Sequence, residues 1–208
     1  MFQNRVTPTG EIIKTAARGT FMGNRGVIHN DEGEIKHRYK LNAWITCLLQ
    51  FKGRHFKIMA PKRFTALFFL DEATAFAAGH RPCNECRRED FQKFKSYWIA
   101  GNPEYGFTMK TKIAAIDTIL HRERITSQGD KITYEMKCSE IPDGTFVLIG
   151  SKACLLFQSH LYEWTPFGYN AAMALPASPY LTVLTPKSVV RAFRAGYIPS
   201  VEPGKRVD

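Results

Sequence analysis

The octapeptide Gly79-His80-Arg81-Pro82-Cys83-Asn84-Glu85-Cys86 constrains this chain more than any other stretch. The residues before it, Asp71 to Ala78, are rich in Ala and predict a short helix. Gly79 supplies the left-handed residue that closes such a helix, and Pro82 cannot continue it. A second helix is expected from near Asn84, with Phe91, Phe94 and Trp98 as its apolar stripe. The Cys-x-x-Cys turn between them places two sulfurs about one metal ion at the roughly 2.3 Å bonds that zinc prefers. The N–H groups opening the second helix, with Arg81, Arg87 and Arg88 nearby, favour the thiolate form. Two other chemistries fit the spacing. A redox dithiol usually follows a strand in a βαβ setting, which is not the pattern here, and two core cysteines would need no ligand at all. The chain has five cysteines, an odd number, and Met1 to Arg5 lacks an apolar leader. Reduced thiols and a cytoplasmic location are therefore expected rather than a disulfide framework.

The stretch Phe68 to Arg87 resembles the second half of the zinc-binding domain of Ada-type DNA methylphosphotriester repair proteins. In that family an Ala-rich helix also runs into a glycine, Arg-Pro and Cys-x-x-Cys. The resemblance implies that Cys83 and Cys86 bind zinc. In the family two upstream cysteines complete the zinc shell, and one of them accepts a methyl group from a DNA phosphate. Here the position of that pair falls near Phe56, and no such pair exists. The whole chain also looks like a bacterial protein family, a likeness that implies no particular activity.

The other ligands must come from elsewhere. Leu41 to Phe51 and Arg54 to Met59 predict two strands joined as a hairpin at Lys52-Gly53. With a two-residue turn, Cys47 and His55 point to opposite faces; with a three-residue turn and a bulge they share one. Both registers remain open. Cys47 is preferred as third ligand because thiolates suit zinc, the alternative being a core cysteine among Ile45, Leu49 and Phe51. His55, His29, His80, His121 or water could fill the fourth position. Cys138 and Cys154 lie in strand-like stretches and read as core.

The charge of the chain points to its partner class. Lys and Arg number 29 against 19 Asp and Glu, a net +10 spread along the sequence. Such an excess favours polyanions through counterion release, so nucleic acid is the expected partner, and the Ada-type resemblance implies DNA rather than RNA. Arg54, Arg81, Arg87 and Arg88 are the candidate phosphate contacts. Arg18 to Gly26, with three glycines and Arg18 and Arg25, reads as turns that could cradle a phosphate, although it matches no P-loop. Asp117 and His121, spaced i, i+4 on a helix expected over Thr111 to Arg124, are candidate catalytic residues as an acid/base pair; a solvated ion pair is the plainer reading. Trp164 to Tyr169 is an aromatic-rich loop that could stack bases, and more often such residues plug a barrel end.

Beyond residue 128 short strands separated by turns predict a β-meander: Lys131 to Cys138, Thr145 to Ile149, Ala153 to Phe157, Leu161 to Trp164 and Leu181 to Leu184. Pro166 to Pro179 reads as a loop and Thr185 to Ala195 as a last helix. The expected fold is α+β: a zinc-stapled lobe over 1–125 with a β-hairpin and helices, then a small, mostly antiparallel β lobe over 126–208 closed by a C-terminal helix. One compact domain is the alternative. The leading functional expectation is a zinc protein that binds nucleic acid, in DNA repair or regulation. The alternative is a metal-dependent hydrolase or nuclease acting on nucleic acid or a nucleotide. No apolar run is long enough for a membrane span.

Overall fold

Helix α1 (Glu72–Ala77) is buried along its whole length, and its faces touch three different cores. Ala75 and Ala78 pack with Val6, Ile28, Leu67 and Phe69; Ala73 and Ala77 pack with Phe146, Leu155 and Leu184; Phe76 packs with Phe94, Trp98 and Phe193. The small Ala side chains let sheet and helix backbones approach from several sides, which explains an Ala-rich run in so apolar a place. Asp71 caps the helix, its carboxylate accepting the Thr74 N–H at 2.8 Å.

In the computed structural model, which describes residues 1–54 and 57–201, two six-stranded sheets and four α-helices make an α+β fold. The first sheet is built from β1 (Gln3–Val6), β2 (Ile12–Lys14), β3 (Phe21–Asn24), β4 (Ile45–Cys47), β5 (Leu67–Phe69) and β6 (Arg81–Pro82). Its order is β2-β1-β5-β3-β4-β6, with β4 antiparallel to β3 and parallel to β6. Helices α2 (Arg88–Gly101) and α3 (Ile113–Arg124) follow, α2 with the expected stripe of Phe91, Phe94 and Trp98 buried.

The second sheet is the meander, antiparallel throughout: β7 (Tyr134–Lys137), β8 (Phe146–Ile149), β9 (Lys152–Phe157), β10 (His160–Thr165), β11 (Gly168–Met173) and β12 (Tyr180–Val183), in the order β11-β10-β9-β8-β12-β7. Helix α4 (Lys187–Arg194) closes the fold. It does not cover only its own sheet. Val189, Ala192 and Phe193 enter the core of α2 and α3, while Val190 enters the meander core. The described parts of the two expected lobes, 1–125 and 126–201, therefore share cores, and α1 and α4 stitch them together. Buried polar contacts add to this: Tyr169 Oη donates to Asp71 at 2.6 Å, and Tyr197 Oη and the Ser200 N–H donate to Glu72 at 2.9 and 2.8 Å.

Three expectations need correction. The hairpin at Lys52-Gly53 does not form. Only Ile45–Cys47 of the first stretch is a strand, and the described part of Arg54 to Met59 contains none. β4 is already paired on both edges, so no free edge faces the following segment; Lys52 and Gly53 both take positive φ in a turn closed by the Arg54 N–H on the Phe51 carbonyl. The middle of the glycine-rich Arg18–Gly26 segment is strand β3, where Gly23 lets two neighbours approach: a Cβ there would lie 2.2 Å from the Ile45 carbonyl oxygen. Within Pro166 to Pro179, Gly168–Met173 pairs with β10 as the sixth strand of the meander.

The glycine stops hold in atomic detail. After α1, the Gly79 N–H bonds the Phe76 carbonyl and the His80 N–H bonds that of Ala75. After α4, Gly196 bonds Phe193 and Tyr197 bonds Ala192 in the same pattern. Both are Schellman caps, with Gly79 at φ 83° and Gly196 at φ 118°. Among the described residues, no helix is long and apolar enough to cross a membrane.

Candidate metal centre and the placement of the basic residues

The parallel pairing of β4 with β6 builds the site. The Arg81 N–H bonds the Trp44 carbonyl at 3.1 Å and the Cys83 N–H bonds that of Thr46 at 2.8 Å. This register sets the end of β4 beside the turn that follows β6. As a result one ligand atom from each of Cys47, Cys83 and Cys86 lies within 4.8 Å of the others, an arrangement that could hold a metal ion. Cys83 is buried and the other two are half-buried.

Electrostatics within the metal-free cluster are uneven. Cys83 is pushed down to about 5, first by the hydrogen bond it accepts from the Cys47 thiol and then by backbone N–H groups of Cys86 and Glu85. The Glu85 N–H lies 3.4 Å from its sulfur. Cys47 is pushed up, mainly because it gives that hydrogen bond and because it is buried. Cys86 is raised by burial and by the neighbouring Cys83 charge. Three thiolates cannot crowd together without a cation, whereas a soft divalent ion bound by all three would remove the repulsion.

Among the described residues the cluster holds these three ligands. His55 lies outside the described residues. The other candidate histidines are engaged elsewhere: His29 between Thr65 Oγ1 and the Ala60 carbonyl, His80 on Arg25, and His121 on Arg124. Cys154 is buried in the meander core, as expected, whereas Cys138 opens a 3-10 turn after β7 and packs half-buried against that core.

The four candidate phosphate contacts divide into two pairs. Arg54 and Arg88 are exposed, Arg54 pairing with Glu85 at 2.7 Å. Arg81 and Arg87 are withdrawn from solvent and are corrected here to structural residues. Arg81 forms a two-pronged ion pair with Asp117, both bonds 2.7 Å and both side chains about one-twentieth exposed. Arg87 donates to Glu72 at 2.5 Å, Asp90 at 2.9 Å and Thr46 Oγ1 at 3.0 Å, with its guanidinium over the Phe21 ring. A charge leaves water at such cost that only fixed partners keep it buried, so neither is available to a ligand. Both flank the cysteine turn and brace it: Arg81 ties β6 to α3, and Arg87 ties the start of α2 to α1 and β4.

The same pairing dissolves the acid/base pair. Asp117 is committed to Arg81, and His121 Nδ1 accepts from Arg124 at 2.7 Å, so the two do not act on one another. Arg18 is exposed while Arg25 is buried, and they do not form one cradle. In the aromatic segment, Trp164 and Tyr169 pack against the core between α1 and the meander, while Phe167 is exposed at the turn.

A run of exposed cations after β4 was read from the sequence only at Arg54. The connection after β4 carries Lys52, Arg54, Lys57, Lys62 and Arg63, all exposed, and Arg88 is exposed two residues beyond Cys86. The cue was present in the sequence as five cations within twelve residues, hidden by the expectation of a hairpin. No family model, curated protein or solved structure matches this chain.

Proposed function

We propose that this is a zinc protein in which Cys47, Cys83 and Cys86 bind the metal and the neighbouring basic loop binds nucleic acid, DNA in preference to RNA. The observation that carries the reading is the convergence of three sulfurs from two segments far apart in sequence. Thiolate-rich sets favour zinc among the common divalent ions. The metal is structural in this reading: it fastens β4 to the turn between β6 and α2, and so anchors the exposed basic connection that leaves β4. His55 remains the proposed fourth ligand. The phosphate contacts are Arg54 and Arg88, joined by Lys52, Lys57, Lys62 and Arg63, with DNA repair or regulation as the setting.

Metal analysis of the purified protein tests the first half. About one equivalent of zinc per chain is expected, lost in Cys83→Ser or Cys86→Ser together with a fall in the unfolding midpoint. Less than about half an equivalent of any transition metal would remove the proposal. Binding to random DNA across salt concentrations tests the second half. Affinity should fall steeply with salt, and Arg54→Gln with Arg88→Gln should flatten the slope by about two. A slope near zero in the unaltered protein rules out phosphate-driven binding. Three protein ligands plus water would instead suit a catalytic metal. That alternative has lost Asp117 and His121 as its acid and base, so the structural reading is preferred.

A further inference from the structure

Two arginines lie over Trp44 and a lysine lines the same cavity, and no carboxylate forms an ion pair with any of them among the described residues. The Arg25 guanidinium lies 4.0 Å from the centre of the indole and that of Arg124 lies 3.8 Å from it. The two residues are 3% and 1% exposed. Their donors meet neutral acceptors only: His80 Nε2 and the Gly10 carbonyl for Arg25, and the Gly79 and Asn42 carbonyls and His121 for Arg124. Arg25 Nη2 and Arg124 Nε are buried without a partner. Lys131 is half-buried and donates to the Ala77 carbonyl. The carboxylate that favours the charge on Arg124 is Asp117, and both its oxygens are already held by Arg81.

Burial, with mutual repulsion added for Arg124 and Lys131, pushes Arg25 down to about 9, Arg124 to about 8 and Lys131 to about 7. Buried cations are ordinarily paired, and three together without an anion are a costly arrangement for a fold to keep. All three line a cavity of about 590 Å³, a size that accepts a small organic molecule. Ile12, Ile35 and Ile125 give it apolar walls. Lys36 and Arg38 add positive charge, against the exposed carboxylates of Glu11 and Asp130. Asp130 is 3.9 Å from Arg38, so it offsets the rim and not the interior.

We propose that this cavity is a binding site for a phosphate monoester, its phosphate held by Arg25, Arg124 and Lys131 and its organic part against the isoleucine wall. A guanidinium fork matches phosphate geometry, and a dianion offsets more of the charge than a single carboxylate would. The site shares no residue with the cysteine cluster and does not depend on the metal. A nucleotide or the 5′-phosphate end of a short strand presents this same chemistry.

Calorimetric titration of the full chain with AMP, adenosine, inorganic phosphate and a 5′-phosphorylated dinucleotide tests the proposal. AMP or the phosphorylated dinucleotide should saturate one site, and whichever binds more tightly identifies the source of the phosphate. Adenosine should bind roughly thirtyfold or more weakly than AMP, since it leaves the cations unpaired. Lys131→Gln, half-buried and so tolerated by the fold, should weaken phosphate-ester binding by a similar factor; Arg25→Lys tests the deeper position while keeping the charge. Midpoint unfolding should rise by about 5–10 °C at a ligand concentration a hundredfold above Kd. The proposal fails if no phosphate compound saturates, if adenosine binds as well as AMP, or if Lys131→Gln leaves AMP affinity unchanged.

Discussion

Replacing Asp117 with leucine leaves the Arg81 guanidinium buried and facing an apolar group. In the native protein Arg81 Nε and Nη2 each donate to Asp117 at 2.7 Å, and the side chains are 5% and 6% exposed. The remaining partner, the Pro82 carbonyl at 3.0 Å, is neutral and cannot replace the lost charge. Removing one member of such a pair costs about 3–5 kcal/mol. For a chain of this size that corresponds to a fall of roughly 6–20 °C in the unfolding midpoint. The assay is urea denaturation followed by circular dichroism, with thermal melts alongside. A companion variant carrying both Arg81→Met and Asp117→Leu removes both charges and keeps the volume, so it should recover most of the loss. If the single variant costs less than about 1 kcal/mol, or if the double variant costs as much as the single, the buried-pair argument is wrong. Loss of nucleic-acid affinity in Arg81→Met/Asp117→Leu with stability unchanged would return Arg81 to the list of phosphate contacts.

Three further outcomes follow from other parts of the fold. Gly23→Ala places a Cβ 2.2 Å from the Ile45 carbonyl, which must push β3 away from β4. A destabilisation of about 1–3 kcal/mol is expected, together with weaker metal retention against a chelator because Cys47 rides on β4; unchanged retention would disconnect the strand pairing from the centre. Metal uptake by the metal-free protein at pH 7 should release about two protons, since Cys83 is already largely ionised while Cys47 and Cys86 hold theirs. Calorimetry in buffers of different ionisation enthalpy counts them, and a release near zero would exclude thiolate ligation. Lys131 is lowered from 10.5 to about 7 on folding, so the unfolded chain binds more protons across that window. Stability should therefore rise with pH from about 7, Lys131 acting first and Arg124 and Arg25 only above about 8 and 9; Lys131→Met should flatten the part between 7 and 8, and a saturating phosphate ester the whole rise. A flat profile in the native protein would mean that Lys131 keeps its ordinary affinity for the proton.

What could be read from residues alone was local. Gly79 and Gly196 end their helices because the left-handed cap needs no partner beyond the preceding turn, and both Schellman caps are spelled out within eight residues. The apolar stripe of α2, the i, i+4 rows of α3 and most of the meander strands are likewise short-range patterns. Gly168–Met173 escaped because four of its six residues are exposed on an edge strand, which leaves little alternation to detect.

The metal centre was half legible for the same reason. Cys83 and Cys86 announce themselves by spacing, whereas Cys47 is brought to them only by the parallel pairing of β4 with β6, a long-range contact that no local pattern encodes. The fate of the arginines was decided in the same way. Composition gives the net charge of +10, and every Arg is a candidate phosphate contact while the chain is read as a line. Folding then sorts them by partner. Arg81 and Arg87 meet carboxylates and become buried braces, Arg54 and Arg88 stay at the surface, and Arg25 and Arg124 are buried beside Trp44 with no anion supplied. The helix stops, the cysteine turn and the sign of the charge depend on neighbours in the chain and are legible there. Which cations face water is a property of the folded molecule, since the cost of burying a charge depends on what the rest of the fold places beside it.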